Sequence, residues 1–240
     1  MIKVIVFDAY GTLFDVYSIS ALAERLYPTQ GAAISALWRD KQIEYTRLIS
    51  LSDPNGEAGS RYYQSFWDVT RLSLRYTLSR LKLEATQANE DTLMQQYAHL
   101  LPFPENLGVL QKLKAMAIPT AILSNGSPEM LDSGVRSAGM QGLLNHVISI
   151  DEVKQFKTSP ASYALVKRYL PVATNEILFV SSNAWDALGA TWFGFTTLWI
   201  NRQGLPSETI GPAPSYVGAD LTQVLNILKP TAPESPPSAT

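Results

Sequence analysis

The chain has 240 residues, 46% hydrophobic and 17% charged, enough to bury a large core in one or two domains. Lys and Arg number 19 against 21 Asp and Glu, and without a basic tract the footprint of a nucleic-acid binder is absent. Cysteine is missing and histidine occurs only as His99 and His146. Disulfides, thiolate zinc sites and a cysteine nucleophile are therefore excluded, and a serine triad would have only these two histidines to draw on.

Residues 2–7 form a short apolar run ending at Asp8. It is too brief for a signal peptide and reads as a buried strand. Beyond residue 16 the pattern turns helical: Ile34, Leu37, Trp38, Lys41, Tyr45 and Leu48 recur at three- and four-residue spacings. Residues 61–82 and 87–100 also read as helices, and the turn-rich stretch 52–59 interrupts them. Apolar, β-rich runs return at 118–123, 147–150, 177–180 and 196–200. Ser127-Pro128 opens a helix with a capping hydroxyl and a proline at the first position. Ser159-Pro160 opens another, and 184–193 and 219–228 read as two more.

Continuous apolar strands alternating with helices predict an α/β fold, a doubly wound, Rossmann-like parallel sheet covered on both faces. More than one hundred residues separate the first two strands, too many for one crossover helix. Residues 16–98 are therefore expected to be a helical cap domain inserted into a core domain of residues 1–15 and 99–229. Residues 230–240 hold four prolines and predict a disordered tail. No stretch approaches the roughly 18 apolar residues of a membrane helix, so a soluble, cytoplasmic protein with no membrane partner is expected.

Doubly wound folds bind ligands beyond the carboxyl ends of their strands. There the chain offers Asp8, Tyr10 and Thr12, then Ser124, Asn125 and Gly126, then Lys154 and Lys157, then Ser181, Ser182, Asn183 and Asp186. Each alone has a plain structural reading. An Asp ending a strand is usually a turn residue, and an acid early in a helix favours the dipole. Lysines such as Lys157 and arginines such as Arg39 usually sit in solvent, and aromatics on helices usually fill a core. Two carboxylates, a lysine, hydroxyls and amides at successive strand ends instead point to one reactive centre.

These residues also carry a resemblance. Asp8-Ala-Tyr-Gly-Thr12-Leu-Phe-Asp15, Ser124-Asn-Gly126, Lys157 and Ser181-Ser-Asn-Ala-Trp-Asp186 resemble, in order, the four motifs of the haloacid dehalogenase superfamily. Trp38-Arg39-Asp40-Lys41-Gln42-Ile43-Glu44-Tyr45 is similar to the segment carrying the halide-binding arginine of L-2-haloacid dehalogenases. The resemblance spans nearly the whole chain, apart from 52–59 and the tail.

It implies a metal-independent, cofactor-free hydrolysis of short-chain (S)-2-haloalkanoic acids to (R)-2-hydroxyalkanoic acids. Asp8 would attack C2, forming an ester with inversion, and water would then attack the Asp8 carboxyl carbon. Arg39 would take the halide, aided by Asn125 and apolar contacts. Lys157 would hold Asp8 ionised and in place. Asp186 would be the base for water, oriented by Asn183 and Ser181. Thr12 and Ser181 would hydrogen-bond Asp8, Ser124 would bind the substrate carboxylate, and Tyr163 would brace the network. Tyr10, Ile43, Phe66 and Trp185 would line the pocket. The partners implied are the 2-haloacid, the halide and a second copy in a homodimer.

The alternative within the superfamily is a magnesium-dependent phosphatase or phosphomutase. Phosphatases carry a second Asp where this chain has Tyr10, and an acidic magnesium ligand where it has Ser182. A leaving halide needs no proton, so the missing acid is harmless to dehalogenation, whereas a missing carboxylate weakens a magnesium site. Two residues depart from the dehalogenase pattern: Thr158, where relatives usually have Pro, and Asp40, where some have Gln. A third reading, an inert binding relative, would not require Asp8, Arg39, Lys157 and Asp186 together.

Overall fold

Six strands form one all-parallel sheet in the order β3-β2-β1-β4-β5-β6. They are β1 (Val4–Phe7), β2 (Thr120–Ser124), β3 (His146–Ser149), β4 (Ile177–Ser181), β5 (Thr196–Ile200) and β6 (Tyr216–Gly218). This is a computed structural model that describes residues 1–229, so the expected tail at 230–240 lies outside the described residues. The doubly wound expectation holds. Every residue of β1, β2 and β4 is buried, which is why these runs are apolar without alternation.

The register fixes where chemistry can gather. Phe7 pairs with Ile122 on one side and Val180 on the other, and Asp8 N–H donates to Val180 O at 2.9 Å. Asp8 therefore leaves β1 level with the ends of β2 and β4. Strand order reverses beside β1, so this edge is a topological switch point. Gly11, at φ 89°, turns the chain after β1 so that Thr12 faces back toward Asp8; that left-handed conformation is one glycine adopts freely.

Of the five helices between β1 and β2, the first four are α1 (Ser18–Leu26), α2 (Gly31–Ser52), α3 (Phe66–Arg80) and α4 (Gln87–Ala98). They pack as a layer in which α2 touches α1 and α3, and α4 touches α1 and α3. The buried indole N–H of Trp38 donates to Thr70 O at 2.8 Å and fixes α2 on α3. Helix α2 outruns its periodic stretch, and the loop that follows extends to residue 65. There Ser65 caps α3 by accepting from Asp68 N–H, so the helix begins later than the spacing suggests.

The remaining helices are α5 (Asn106–Ala115), α6 (Pro128–Ser137), α7 (Pro160–Ala164), α8 (Val166–Tyr169), α9 (Ala184–Phe193) and α10 (Gln223–Ile227). Ser127 caps α6 as expected, whereas Ser159 makes no capping bond to α7. Helix α10 is shorter than 219–228 because Asp220 holds Thr222 N–H in a turn ahead of it. Among the described residues no helix is long and apolar enough to cross a membrane.

Helix α2 starts hard against α1. A Cβ on Gly31 would stand 2.6 Å from Ser20 O and 2.7 Å from Glu24 Cβ. Helix propensity alone favours Ala there by about 1 kcal/mol, but overpacking costs about 1–3 kcal/mol. Gly31→Ala is therefore expected to lower Tm in thermal unfolding; a raised Tm would mean the two helices do not constrain each other here.

Candidate active site

Asp8 ends β1 with its side chain only 8% exposed, and both carboxylate oxygens are engaged. Thr12 Oγ1 donates to Oδ2 at 3.0 Å, Asn183 Nδ2 donates to the same oxygen at 2.9 Å, and Lys157 Nζ donates to Oδ1 at 3.1 Å. The Asp8 carboxylate is thus ionically paired and oriented by elements from three separate parts of the chain.

Lys157 also donates to Asp186 Oδ2 at 2.9 Å, with both side chains wholly buried. Its ammonium lies 4.9 Å from the centre of the Phe179 ring, a favourable cation–π arrangement. Burial pulls the ammonium's pKa down, but the charges of Asp186 and Asp8 outweigh it and hold the value above that of an ordinary lysine. Asn125 Oδ1 accepts from Lys157 N–H at 3.0 Å, which fixes the backbone from which the side chain springs. The Lys157–Thr158 peptide is cis.

Asp186 lies in the first turn of α9 and accepts from Tyr163 O–H at 2.8 Å through Oδ1. Burial pushes its carboxyl up to about 6, the charge of Asp8 adds to the rise, and Lys157 opposes it. The Tyr163 hydroxyl, buried beside Asp186, is held well above the usual tyrosine value. Tyr163 thereby joins the charged network through Asp186.

Asn183 departs most from local rules. It occupies the N-cap position of α9, yet its side chain makes no capping bond. Its Nδ2 instead donates to Asp8 and, at 3.1 Å, to Tyr10 O, while its Oδ1 accepts from Arg39 Nη2 at 3.0 Å. Ser181 Oγ takes the Asn183 N–H at 3.1 Å. The expectation that Ser181 bonds Asp8 is therefore corrected: Ser181 acts one residue removed, by holding Asn183. Ser182 also turns away from the centre, donating to Gly11 O and taking part in a bond with Thr12 Oγ1.

Arg39 reaches across from α2 to Asn183, and its Nη1 donates to Gln42 Oε1 at 2.6 Å. Gln42, 1% exposed, also accepts from Tyr97 O–H and donates to Thr70 Oγ1. Sequence reasoning missed Gln42 and Tyr97 as the residues that aim Arg39. Gln42 left one signal, a polar residue three positions from Arg39 on the same helical face; Tyr97 left none. On the outer side, Arg39, Asn183 and Gln42 border a cavity of about 570 Å³. Asp40 is exposed and makes no ion pair with Arg39 among the described residues.

Ser124 is buried, and its Oγ accepts from Gly126 N–H at 3.0 Å, which leaves its own O–H to donate. Tyr10, Ile43 and Phe66 are buried, with the Tyr10 and Phe66 rings 5.7 Å apart. Trp185 is half-buried beneath Arg47 of α2. The Tyr10 hydroxyl is buried without a partner among the described residues, and burial raises its pKa well above the usual value.

The donor set does not suit magnesium. A cation, Lys157, already fills the space between Asp8 and Asp186, and the position beside Asn183 offers a hydroxyl that serves Gly11. Among the described residues no group of three or more His, Cys, Asp and Glu is placed to hold a metal ion. Lys157→Met removes one partner of a buried pair, so it should cost about 3–5 kcal/mol, read by denaturant unfolding. The deficit should shrink from pH 8 to pH 5, as Asp186 takes up a proton and the uncompensated charge disappears. An equal deficit at both pH values would contradict the pairing.

The haloacid dehalogenase-like hydrolase family model matches residues 2–194. An (S)-2-haloacid dehalogenase, H-109, from Pseudomonas putida is 42% identical over 223 residues, covering 93% of this chain and 96% of that protein. The structure of the L-2-haloacid dehalogenase RSc1362 superposes with a TM-score of 0.90 at 54% identity, over 94% of this chain and 98% of that one. The Xanthobacter autotrophicus L-2-haloacid dehalogenase with chloropropionic acid covalently bound superposes with a TM-score of 0.86 at 38% identity, over 97% and 100% of the two chains. The chain belongs to the haloacid dehalogenase-like hydrolases.

Proposed function

We propose that this protein hydrolyses short-chain (S)-2-haloalkanoic acids to (R)-2-hydroxyalkanoic acids and halide through an ester on Asp8, with inversion at C2. The observation that carries this reading is the double engagement of Asn183, which holds Asp8 by its amide nitrogen and Arg39 by its amide oxygen. One side chain thereby sets a carboxylate nucleophile and a permanently charged guanidinium at a fixed spacing. In-line displacement on carbon needs that layout, with the nucleophile on one side and a cation for the leaving anion on the other. The covalent chloropropionic acid in the similar Xanthobacter protein supports the same reading.

Lys157 and Thr12 hold Asp8 for attack, and Arg39 receives the halide. Asn125 assists through its Nδ2, which has no partner among the described residues because only its oxygen is engaged, accepting from Lys157 N–H. Ser124 donates its hydroxyl to the substrate carboxylate, and Tyr10, Ile43, Phe66 and Trp185 enclose the alkyl group. In the second half-reaction Asp186 draws a proton from water that attacks the Asp8 carboxyl carbon. Each Asp186 oxygen accepts one bond and keeps a lone pair for this. A superfamily phosphatase would need magnesium where Lys157 stands.

Residues 16–98 act as the cap domain that supplies Arg39, on a core of residues 1–15 and 99–229. The exposed Leu48 and Leu51 of α2 and Leu72 of α3 give this layer an apolar outer face, which suits a homodimer. A cytoplasmic setting suits a chain without cysteine.

The test is halide release from (S)- and (R)-2-chloropropionate with EDTA present, by wild type and Asp8→Asn. Release from the S form, undiminished by EDTA and abolished in Asp8→Asn, is expected. No release from either enantiomer would refute the reading. Because Asp186 must be ionised to act as base, kcat should fall on the acid side, at a pH below the value of about 6 to which burial and the charge of Asp8 raise its carboxyl in the free enzyme, since the ester removes that charge. Asp186→Asn should be slow and lack that limb; an unchanged pH profile would remove Asp186 from the role.

A further inference from the structure

The loop between α2 and α3 contains the one internal stretch that the resemblance leaves uncovered, yet it packs tightly. It lies against residues 150–156, the segment that leads directly into Lys157. Ser60 N–H donates to Lys154 O at 3.0 Å. Gln155 Nε2 donates to Asp53 O at 2.8 Å, and Phe156 N–H donates to Ser50 Oγ at 2.8 Å. The Tyr63 hydroxyl donates to Asp151 Oδ1, and its ring centre lies 5.2 Å from that of Phe156. Gly59, at φ 89°, comes so close that a Cβ there would stand 2.4 Å from Lys154 Cβ.

Two consecutive backbone N–H groups are thus held from opposite sides. Phe156 is held by Ser50 at the end of α2, and Lys157 is held by Asn125 at the end of β2. Both bonds are buried. Phe156 also packs 6.3 Å from Phe66, which packs 5.7 Å from Tyr10. The loop therefore bears on both the lysine and the apolar wall of the site without touching the reacting atoms.

We propose that Ser50 and Tyr63 are positioning residues for Lys157: residues 50–63 clamp residues 151–157, so that the ammonium meets Asp8 only while the helical layer is seated. The inference rests on Lys157 serving Asp8 as proposed above. Its logic is geometric. The lysine contacts Asp8 and Asp186 at hydrogen-bond distance, and a displacement of about 1 Å in such a group costs up to about a hundredfold in rate. Ser124 and Arg39, which hold the polar ends of the substrate, make no hydrogen bond to the clamp among the described residues, so only the apolar wall carries it to the substrate.

The test pairs kinetics with hydrogen exchange on Ser50→Ala and Tyr63→Phe, with the exposed Glu57→Gln of the same loop as control. Both variants should lose amide protection across residues 151–158. Each should lower kcat on (S)-2-chloropropionate by about tenfold, leaving KM within about twofold, while Glu57→Gln matches wild type. Unchanged protection would overturn the clamp. Lost protection with unchanged kcat, even if Tm falls, would overturn the positioning role and leave the loop merely structural. A wild type that releases no halide would defeat the dehalogenase reading instead, and exchange alone would then decide whether the clamp exists.

Discussion

The Lys157 ammonium stands 3.1 Å from Asp8 and 2.9 Å from Asp186, with all three groups withdrawn from water. Desolvating such charges is costly, and the arrangement persists only if geometry and further hydrogen bonds offset that cost. Much of the site serves this end. Thr12 and Asn183 take the free lone pairs of Asp8, Tyr163 takes one of Asp186, and Asn125 fixes the lysine backbone. The sheet register brings β1, β2 and β4 to a common edge and so delivers three of these partners. A carboxylate paired in this way is oriented and poorly solvated, which suits attack on carbon.

Asn183 links that charged centre to the helical layer. Its N-cap position would normally commit the side chain to the helix backbone. Here it gives up that bond to hold Asp8 and Arg39 together, and Ser181 steadies its backbone. Such breaches of local preference are expected at functional sites. Arg39 is aimed in turn by Gln42, which is itself anchored to α3 through Thr70. The proposed leaving-group cradle therefore depends on the packing of α2 against α3 as much as on the sheet.

The strands that matter were legible because burial on both faces forces them to be continuously apolar, and Asp8, Ser124 and Asn183 follow directly from where those runs end. Strand β6 and helix α5 left too little contrast, β6 being three residues long with an exposed Tyr216 and Val217. Lys157 was found by motif order, since its side-chain burial has no local signature. Side-chain direction was the harder quantity. Ser181 and Asn183 sit two residues apart, and only the turn at the end of β4 decides which of them faces Asp8. Tyr97 acts through a tertiary contact that no spacing along one helix reveals, whereas Gln42 shows only as a polar residue three positions from Arg39. The grip of residues 50–63 on residues 151–157 joins segments about one hundred positions apart, beyond any local pattern.

The central claim is that the Asp8 oxygen, and no free water, makes the first bond to C2. Single-turnover hydrolysis of (S)-2-chloropropionate in heavy-oxygen water, with enzyme in excess, tests it most directly through mass analysis of the peptide containing Asp8. The account predicts that this peptide gains heavy oxygen while the first-turnover product carries an ordinary oxygen from the protein. Label confined to the product, with Asp8 unlabelled, would mean that water attacks the substrate directly and would contradict the ester mechanism.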